Sequence, residues 1–261
     1  MKRTFYFDKN FILAFVIILT SWIVNWVYLL SFFSNELSFA NGYTFFLAAA
    51  YGAVGDSFGG IVITLSPIII IFGVLSLFHD KISSSFFQNE LLRESYRHFC
   101  FRELRTIYFK MLFLFPLISA FFFFFSLVIF GTKPVFSSFS LLADFIIGTW
   151  APYPLLCILL YFVLICIFSL IVINFGLIVA RFVKNKSLWL VVTFILFYWY
   201  NMIISTLCIE KLSVYNLYFL MAPKSSSFFE HFFFGIIHFI ISSIVLIIVY
   251  RKKESLVLKY N

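Results

Sequence analysis

The chain has 261 residues, of which 63% are apolar and 11% charged, with a formal net charge of +8. Its mean hydropathy is +1.06. A soluble domain uses roughly a quarter of its residues as charges to cover a water-facing surface. This composition therefore argues against a soluble enzyme, a nucleic-acid-binding module and a disordered chain. The 41 Phe residues fit an AT-rich coding bias, and no ligand site is built on them.

A membrane span takes about 20 mainly apolar residues. Six stretches meet that length: Phe11–Phe33, Ile61–Phe78, Tyr108–Phe130, Pro154–Ala180, Leu188–Cys208 and Phe232–Tyr250. The expected fold class is an all-α membrane protein, with residues 1–261 as a single transmembrane domain. The first stretch is too long for a signal-peptide core and no small-residue cleavage site follows it, so it is expected to be a retained helix. Two shorter apolar pieces, Tyr43–Val54 and Val135–Gly148, interrupt the pattern. Promoting either one alone to a span would invert everything after it. Both are expected as short helices or re-entrant pieces at the outer face, packed on the bundle, because non-helical backbone at that depth must be covered by protein.

Lys and Arg counts in the short loops set orientation. One side carries Lys2, Arg3, Lys9, the basic residues from Lys81 to Lys110, Arg181, Lys184, Lys186 and the four after the last span; the other carries Lys133, Lys211 and Lys224 alone. The split, 16 to 3, predicts a multi-pass protein of the plasma membrane with both termini cytoplasmic. It accounts for most of the positive charge without any nucleic acid.

The longest cytoplasmic connection, His79 to Ile107, has neither Pro nor Gly and reads as helix rather than linker. Leu92, Tyr96, Cys100, Leu104, Ile107 and Met111 form one apolar stripe at spacings of three and four running into the third span. Glu90 with Arg93, and Glu94 with Arg97, are i,i+3 pairs. Ser83, Ser84 and Ser85 offer N-caps just ahead of Phe86. A short helix, Phe86–Arg97, is expected before a longer one that becomes span 3. It is read two ways. It lies on anionic lipid as an interfacial amphipathic helix, or it docks a cytosolic partner, with Phe86, Phe87 and Leu91 as anchors and Glu90, Arg93, Glu94 and Arg97 setting register.

These features together resemble the membrane (permease) subunit of a type-2 ABC exporter whose ATPase is a separate chain. The resemblance rests on the basic N-terminal stub, the six spans, the pattern Phe86-Phe-Gln-Asn-Glu90-Leu-Leu-Arg93 between spans 2 and 3, the Arg-rich lead-in to Lys110, and the outer partial helices. Within that family the chain looks most like exporters of amphipathic cytolytic peptides of the phenol-soluble-modulin type. The resemblance implies that Phe86–Arg97 is a coupling helix seated in a cleft of the ATPase. It implies two copies of that ATPase, which bind ATP and Mg, and a second permease chain, identical or homologous. It also implies outward movement of an amphipathic or hydrophobic cargo: a peptide, an antibiotic or a lipid. The alternative is a non-transport membrane protein, such as a bacteriocin-immunity or assembly factor.

Motifs for chemistry in this chain itself are sparse. It has no G-x-x-x-x-G-K-[ST], so it is not expected to bind ATP or to be an enzyme by itself. Gly55-Asp-Ser57-Phe-Gly59 spells G-x-S-x-G but opens a span, where a small-residue turn is expected rather than a nucleophile elbow. Glu230-His231 and His238 lack metalloprotease spacing, and no catalytic or metal site is expected. Cys100, Cys157, Cys166 and Cys208 form no C-x-x-C and read as small hydrophobes. None of the six stretches holds Asp or Glu. That argues against an intramembrane protease of the CAAX type and against proton- or sodium-driven transport, which use intramembrane carboxylates.

The polar groups inside the stretches are Thr20, Ser21, Asn25, Asn174, Asn201, Ser205, Thr206, His238, Ser242 and Ser243. Interhelical hydrogen bonding is their default role. Asn25, Asn174, Asn201 and His238 are the candidates for a weakly polar translocation path. Trp22, Trp26, Tyr198, Trp199 and Tyr200 read as an interfacial aromatic belt.

Overall fold

The computed structural model describes residues 8–32, 42–43, 45–46, 58–83, 95–114, 116–131, 154–208 and 228–251. These are helical, with no strand among them. Seven long helices follow in order: α1 (Lys9–Phe32), α2 (Phe58–Ser83), α3 (Tyr96–Leu114), α4 (Pro116–Phe130), α5 (Pro154–Ala180), α6 (Lys186–Cys208) and α7 (Phe228–Arg251). Six helical segments are long and apolar enough to cross a bilayer, the third running from His98 to Phe130. The fold class and six-span architecture expected from the sequence hold, and the molecule is a multi-pass helical membrane protein.

The expected third span, Tyr108–Phe130, falls within His98–Phe130, described as α3 and α4 on either side of Phe115, which lies outside the described residues. Pro116 has no N–H to give to an upstream carbonyl, and it stands at the first position of α4, where that absence is tolerated. Span 2 also extends further than expected. α2 runs on to Ser83, so His79, read as the start of a loop, lies inside a helix and is buried. Ser83 ends that helix, its hydroxyl donating to the Asp80 carbonyl. The long stretch from Pro154 to Ala180 is a helix with the expected bounds.

Burial sorts the helices. Ile171, Val172, Ile173 and Asn174 are consecutive in α5 and all fully buried, as are Ile70 and Ile71 in α2. A helix buried at consecutive positions is enclosed on every side, so α2 and α5 form the centre. α1 is one-sided. Phe11, Ala14, Ile18, Trp22, Trp26 and Leu29 face inward at helical spacing, while Ile12, Val16, Ile23 and Val27 are exposed. α4, α6 and α7 likewise present large apolar outer faces. Such faces would be aggregation surfaces in water and are the natural surface against lipid.

Two glycines set the closest approaches. A Cβ on Gly73 of α2 would come within 2.5 Å of the Ala14 Cβ on α1, and one on Gly176 of α5 within 2.6 Å of Leu75 Cδ1 on α2. Small residues at these crossings let the helices approach closely enough for dispersion to hold them without a hydrophobic driving force.

Trp22 and Trp26 correct the belt expectation. Both are buried: Trp22 stacks between Phe46 and Phe122, and Trp26 donates from Nε1 to Ser126 Oγ on α4. Tyr198 and Trp199 do sit on an exposed face, whereas Tyr200 is half-buried. Of the outer segment Tyr43–Val54, the described Phe45 and Phe46 are buried, Phe46 lying edge-on to Phe123 and Tyr161. This part of the segment packs on the bundle as expected. Val135–Gly148 lies outside the described residues.

Candidate functional site

The proposed docking residues Phe86, Phe87, Glu90, Leu91, Arg93 and Glu94 lie outside the described residues. Arg97 falls in the first turn of α3, with its side chain likewise outside what is described. The start of α3 is defined. Ser95 is its N-cap, its hydroxyl accepting from His98 N–H at 3.3 Å and its carbonyl from Phe99 N–H. α3 therefore begins just after Ser95, and Arg97, expected as the end of a separate short helix, belongs to α3. The expected stripe on this helix is present in its described members. Ile107 and Met111 are buried, and Tyr96, Cys100 and Leu104 pack against the core.

α3 meets three other helix ends in succession along one face. Tyr96 donates its hydroxyl to the Tyr250 carbonyl near the end of α7, at 3.1 Å. Glu103 accepts from Lys81 Nζ near the end of α2, 2.9 Å to each carboxylate oxygen, and from Arg102 beside it. Lys110 reaches Asp8 at the start of α1, 2.6 Å away. These three α3 residues are seven apart, close to two full helical turns each. Burial pushes the Tyr96 phenol well above its ordinary range, so it stays a neutral donor. Glu103 and Lys110 are almost buried, with 7% and 4% of their side chains exposed, and each is paired, as buried charges must be.

The turn between α5 and α6 closes the same end. Asn185 caps α6 by accepting from Leu188 N–H. Lys186 pairs with Asp80 at 2.6 Å. His79, 1% exposed, stacks on Trp189 with ring centroids 4.4 Å apart. Its Nε2 lies 2.9 Å from the Val183 carbonyl. A carbonyl only accepts, so Nε2 carries the proton and Nδ1 is the basic nitrogen. Trp189 in turn donates from Nε1 to the Gly176 carbonyl. Every Asp, Glu, Lys and Arg side chain that the structure describes gathers at this end, where α1, α3 and α6 begin and α2, α5 and α7 finish.

Among the intramembrane polar residues, two form a seam around α7. Asn174 Nδ2 on α5 donates to Ser242 Oγ at 3.0 Å and to Ser243 Oγ at 3.1 Å. Asn174 Oδ1 is buried with no hydrogen-bond partner among the described residues. One turn before Ser242, His238 Nδ1 lies 2.6 Å from the Tyr200 hydroxyl of α6. Asn201 turns back on its own helix, donating to the Phe197 carbonyl, and Thr206 does the same to Met202. Asn25 is buried on α1, which packs on α2, α3 and α4 rather than on this seam. The structure thus brings Asn174 and His238 to the same helix, α7, and keeps Asn25 apart from them. The side chain of His231 is outside what is described.

The sequence reading did not single out Tyr250, Glu103, Lys110, His79 or Trp189 for any role at this end. The seven-residue recurrence of Tyr96, Glu103 and Lys110 was the available signal, since an acid and a base in phase with a tyrosine beside the apolar stripe of the helix need partners.

No protein-family model, curated protein or solved structure matches this chain.

Proposed function

We propose that this chain is the transmembrane permease subunit of an ATP-driven exporter of the type-2 ABC class. It pairs with a second permease chain and with two cytosolic ATPase subunits, and moves an amphipathic or hydrophobic cargo out of the cell. The ATPase subunits bind ATP and Mg, and this chain supplies the path. The observation that supports this most is the geometry of α3. The segment carrying the Phe86–Arg97 docking pattern leads directly into α3, and α3 is bonded to the ends of α7, α2 and α1. A push on the docking segment therefore has three rigid connections into the bundle. Away from the charged end, the buried polar groups among the described residues are Ser, Thr, Asn and His side chains without a carboxylate, which suits a path that takes its energy from an attached motor rather than from a titrating carboxylate. The charged end, with its majority of basic residues, is the cytoplasmic end in this reading, as the positive-inside rule requires.

Co-expression with an ATPase subunit tests it. Glu90→Ala, Arg93→Ala and Leu91→Asp should leave the chain inserted but weaken recruitment. A lost anchor at a hot spot costs about 2 kcal/mol, roughly thirtyfold in affinity. On lipid alone, Arg93→Ala would change membrane association by about 1 kcal/mol, negligible for a chain with six spans. Lys253→Ala is the control. If the three variants co-purify with the ATPase as well as wild type and the control do, the docking assignment is wrong.

A further inference from the structure

The helices of this bundle are joined by two unlike kinds of seam. α1 to α2 and α2 to α5 close on Gly73 and Gly176, where there is no room for even one added carbon. Such crossings move little, because a small displacement forfeits dispersion on both sides. The seam between α5 and α7 is different. Across it Asn174 donates to Ser242 and Ser243, and its own oxygen, buried, has no partner among the described residues. Hydrogen bonds between neutral side chains in a membrane bundle average about 0.6 kcal/mol and can be exchanged for others. The opposite face of α7, including Ile240, Ile247 and Ile248, is exposed.

Along its length α7 packs on α5, and its last turn is tied to two helices at once. The carbonyls there have no donor within the helix. One of them, that of Tyr250, accepts from the hydroxyl of Tyr96, the first residue of α3. The Tyr250 side chain then crosses to donate to the Leu177 carbonyl on α5, at 2.9 Å. The end of α7 is thus held between α3 and α5 by two hydroxyls, and the first of them belongs to Tyr96, at the C-terminal end of the Phe86–Arg97 stretch.

We infer that α7 is the moving wall of the bundle, that Tyr96 is the latch holding its end, and that release of the latch opens the α5–α7 seam and presents Asn174, Ser242 and Ser243 to cargo. α1, α2 and α5 remain a fixed frame. This deepens the permease reading and rests on it for the source of the push. The latch itself depends only on α3, α5 and α7.

The experiment uses the full chain in lipid nanodiscs, without an ATPase, its native cysteines replaced. Spin labels at Phe182 and Ile248, both exposed, report the α5–α7 end. Labels at Leu13 and Leu77 report the α1–α2 frame. Tyr96→Phe, which removes one oxygen, should add a longer population to the first pair and leave the second unchanged. Asn174→Leu, which breaks the seam at its middle, should do the same. An unchanged first pair in both variants, or equal broadening of both pairs, overturns the latch. With an ATPase partner added, Tyr96→Phe should keep recruitment and ATP turnover but lose cargo movement. If no ATPase associates even with wild type while the nanodisc result holds, the exporter reading fails and the latch stands.

Discussion

Asp8 divides its two carboxylate oxygens between its own helix and Lys110. Oδ1 accepts from Phe11 N–H at 2.9 Å, capping α1, and Oδ2 accepts from Lys110 Nζ at 2.6 Å, 102 residues away in the chain. The Lys110 ammonium also lies 5.8 Å from the centre of the Phe11 ring. One carboxylate therefore starts the first helix and fixes it against α3.

That division makes a separable prediction. Asn is as good an N-cap as Asp, so Asp8→Asn should keep the cap while leaving a buried ammonium without its counter-charge. Loss of one member of a buried pair costs about 3–5 kcal/mol, and with Asp8 partly exposed the lower figure is expected. Lys110→Met removes the ammonium, and the double variant should recover most of the loss. Unfolding midpoints in mild detergent across this cycle are the measurement. Additive losses would show that the pair carries no coupling.

The glycine crossings predict a size-swap result. Gly73→Ala should destabilise by about 1–3 kcal/mol, as overpacking of a close interface does, because the new carbon meets Ala14. Adding Ala14→Gly should restore much of it. Failure of the swap to rescue, measured by thermal unfolding in detergent, would place the strain elsewhere.

Topology gives a third test. Single cysteines at Lys133 and Lys224 should react with an impermeant maleimide added to intact cells, and one at Lys184 should not. Lys184 lies in the turn that also holds Lys186 against Asp80, so its labelling from outside would invert the orientation of the whole charged end.

The energy source is the fourth. In vesicles carrying the chain with its ATPase, cargo movement should persist when an uncoupler collapses the proton gradient and stop when ATP is removed. The opposite pattern would require a titrating group in the path and would remove the motor from the reading.

The helices were legible from apolar run length because lipid leaves the backbone one solution, hydrogen bonds within each segment. α5 was found with the bounds the structure gives. The extension of α2 past Phe78 to Ser83 was not, because His79, Asp80 and Lys81 read by hydropathy as the start of a loop. Trp22 and Trp26 were misread for a related reason. An amphipathic ring suits the membrane interface, but these two face α4 and find Phe122 and Ser126 there, which only tertiary contact reveals. The interior asparagines were legible as residues and not as a set. Asn174 bonds across to α7, Asn201 bonds back to its own helix and Asn25 lies on α1, and helix neighbours are not written in hydropathy. The charged end was read for its topology signal and as a helix, while the pairing of Glu103 with Lys81 and of Lys110 with Asp8 was not foreseen.

The contacts of α3 share a phase. Tyr96, Glu103 and Lys110 stand two turns apart on one stripe, so a single rotational setting of α3 presents all three to α7, α2 and α1. A single residue inserted between Tyr96 and Glu103 would turn the upstream part of the helix by about 100°. It would carry Tyr96 away from Tyr250 and leave the other two contacts in place. Four inserted residues would come back nearly into register by angle but overshoot by about 6 Å. Length variation among chains built on this plan is therefore expected to avoid α3 and to accumulate in the connections around it, making the spacing of these three side chains a ruler by which a distant relative can be recognised when its hydropathy profile says nothing.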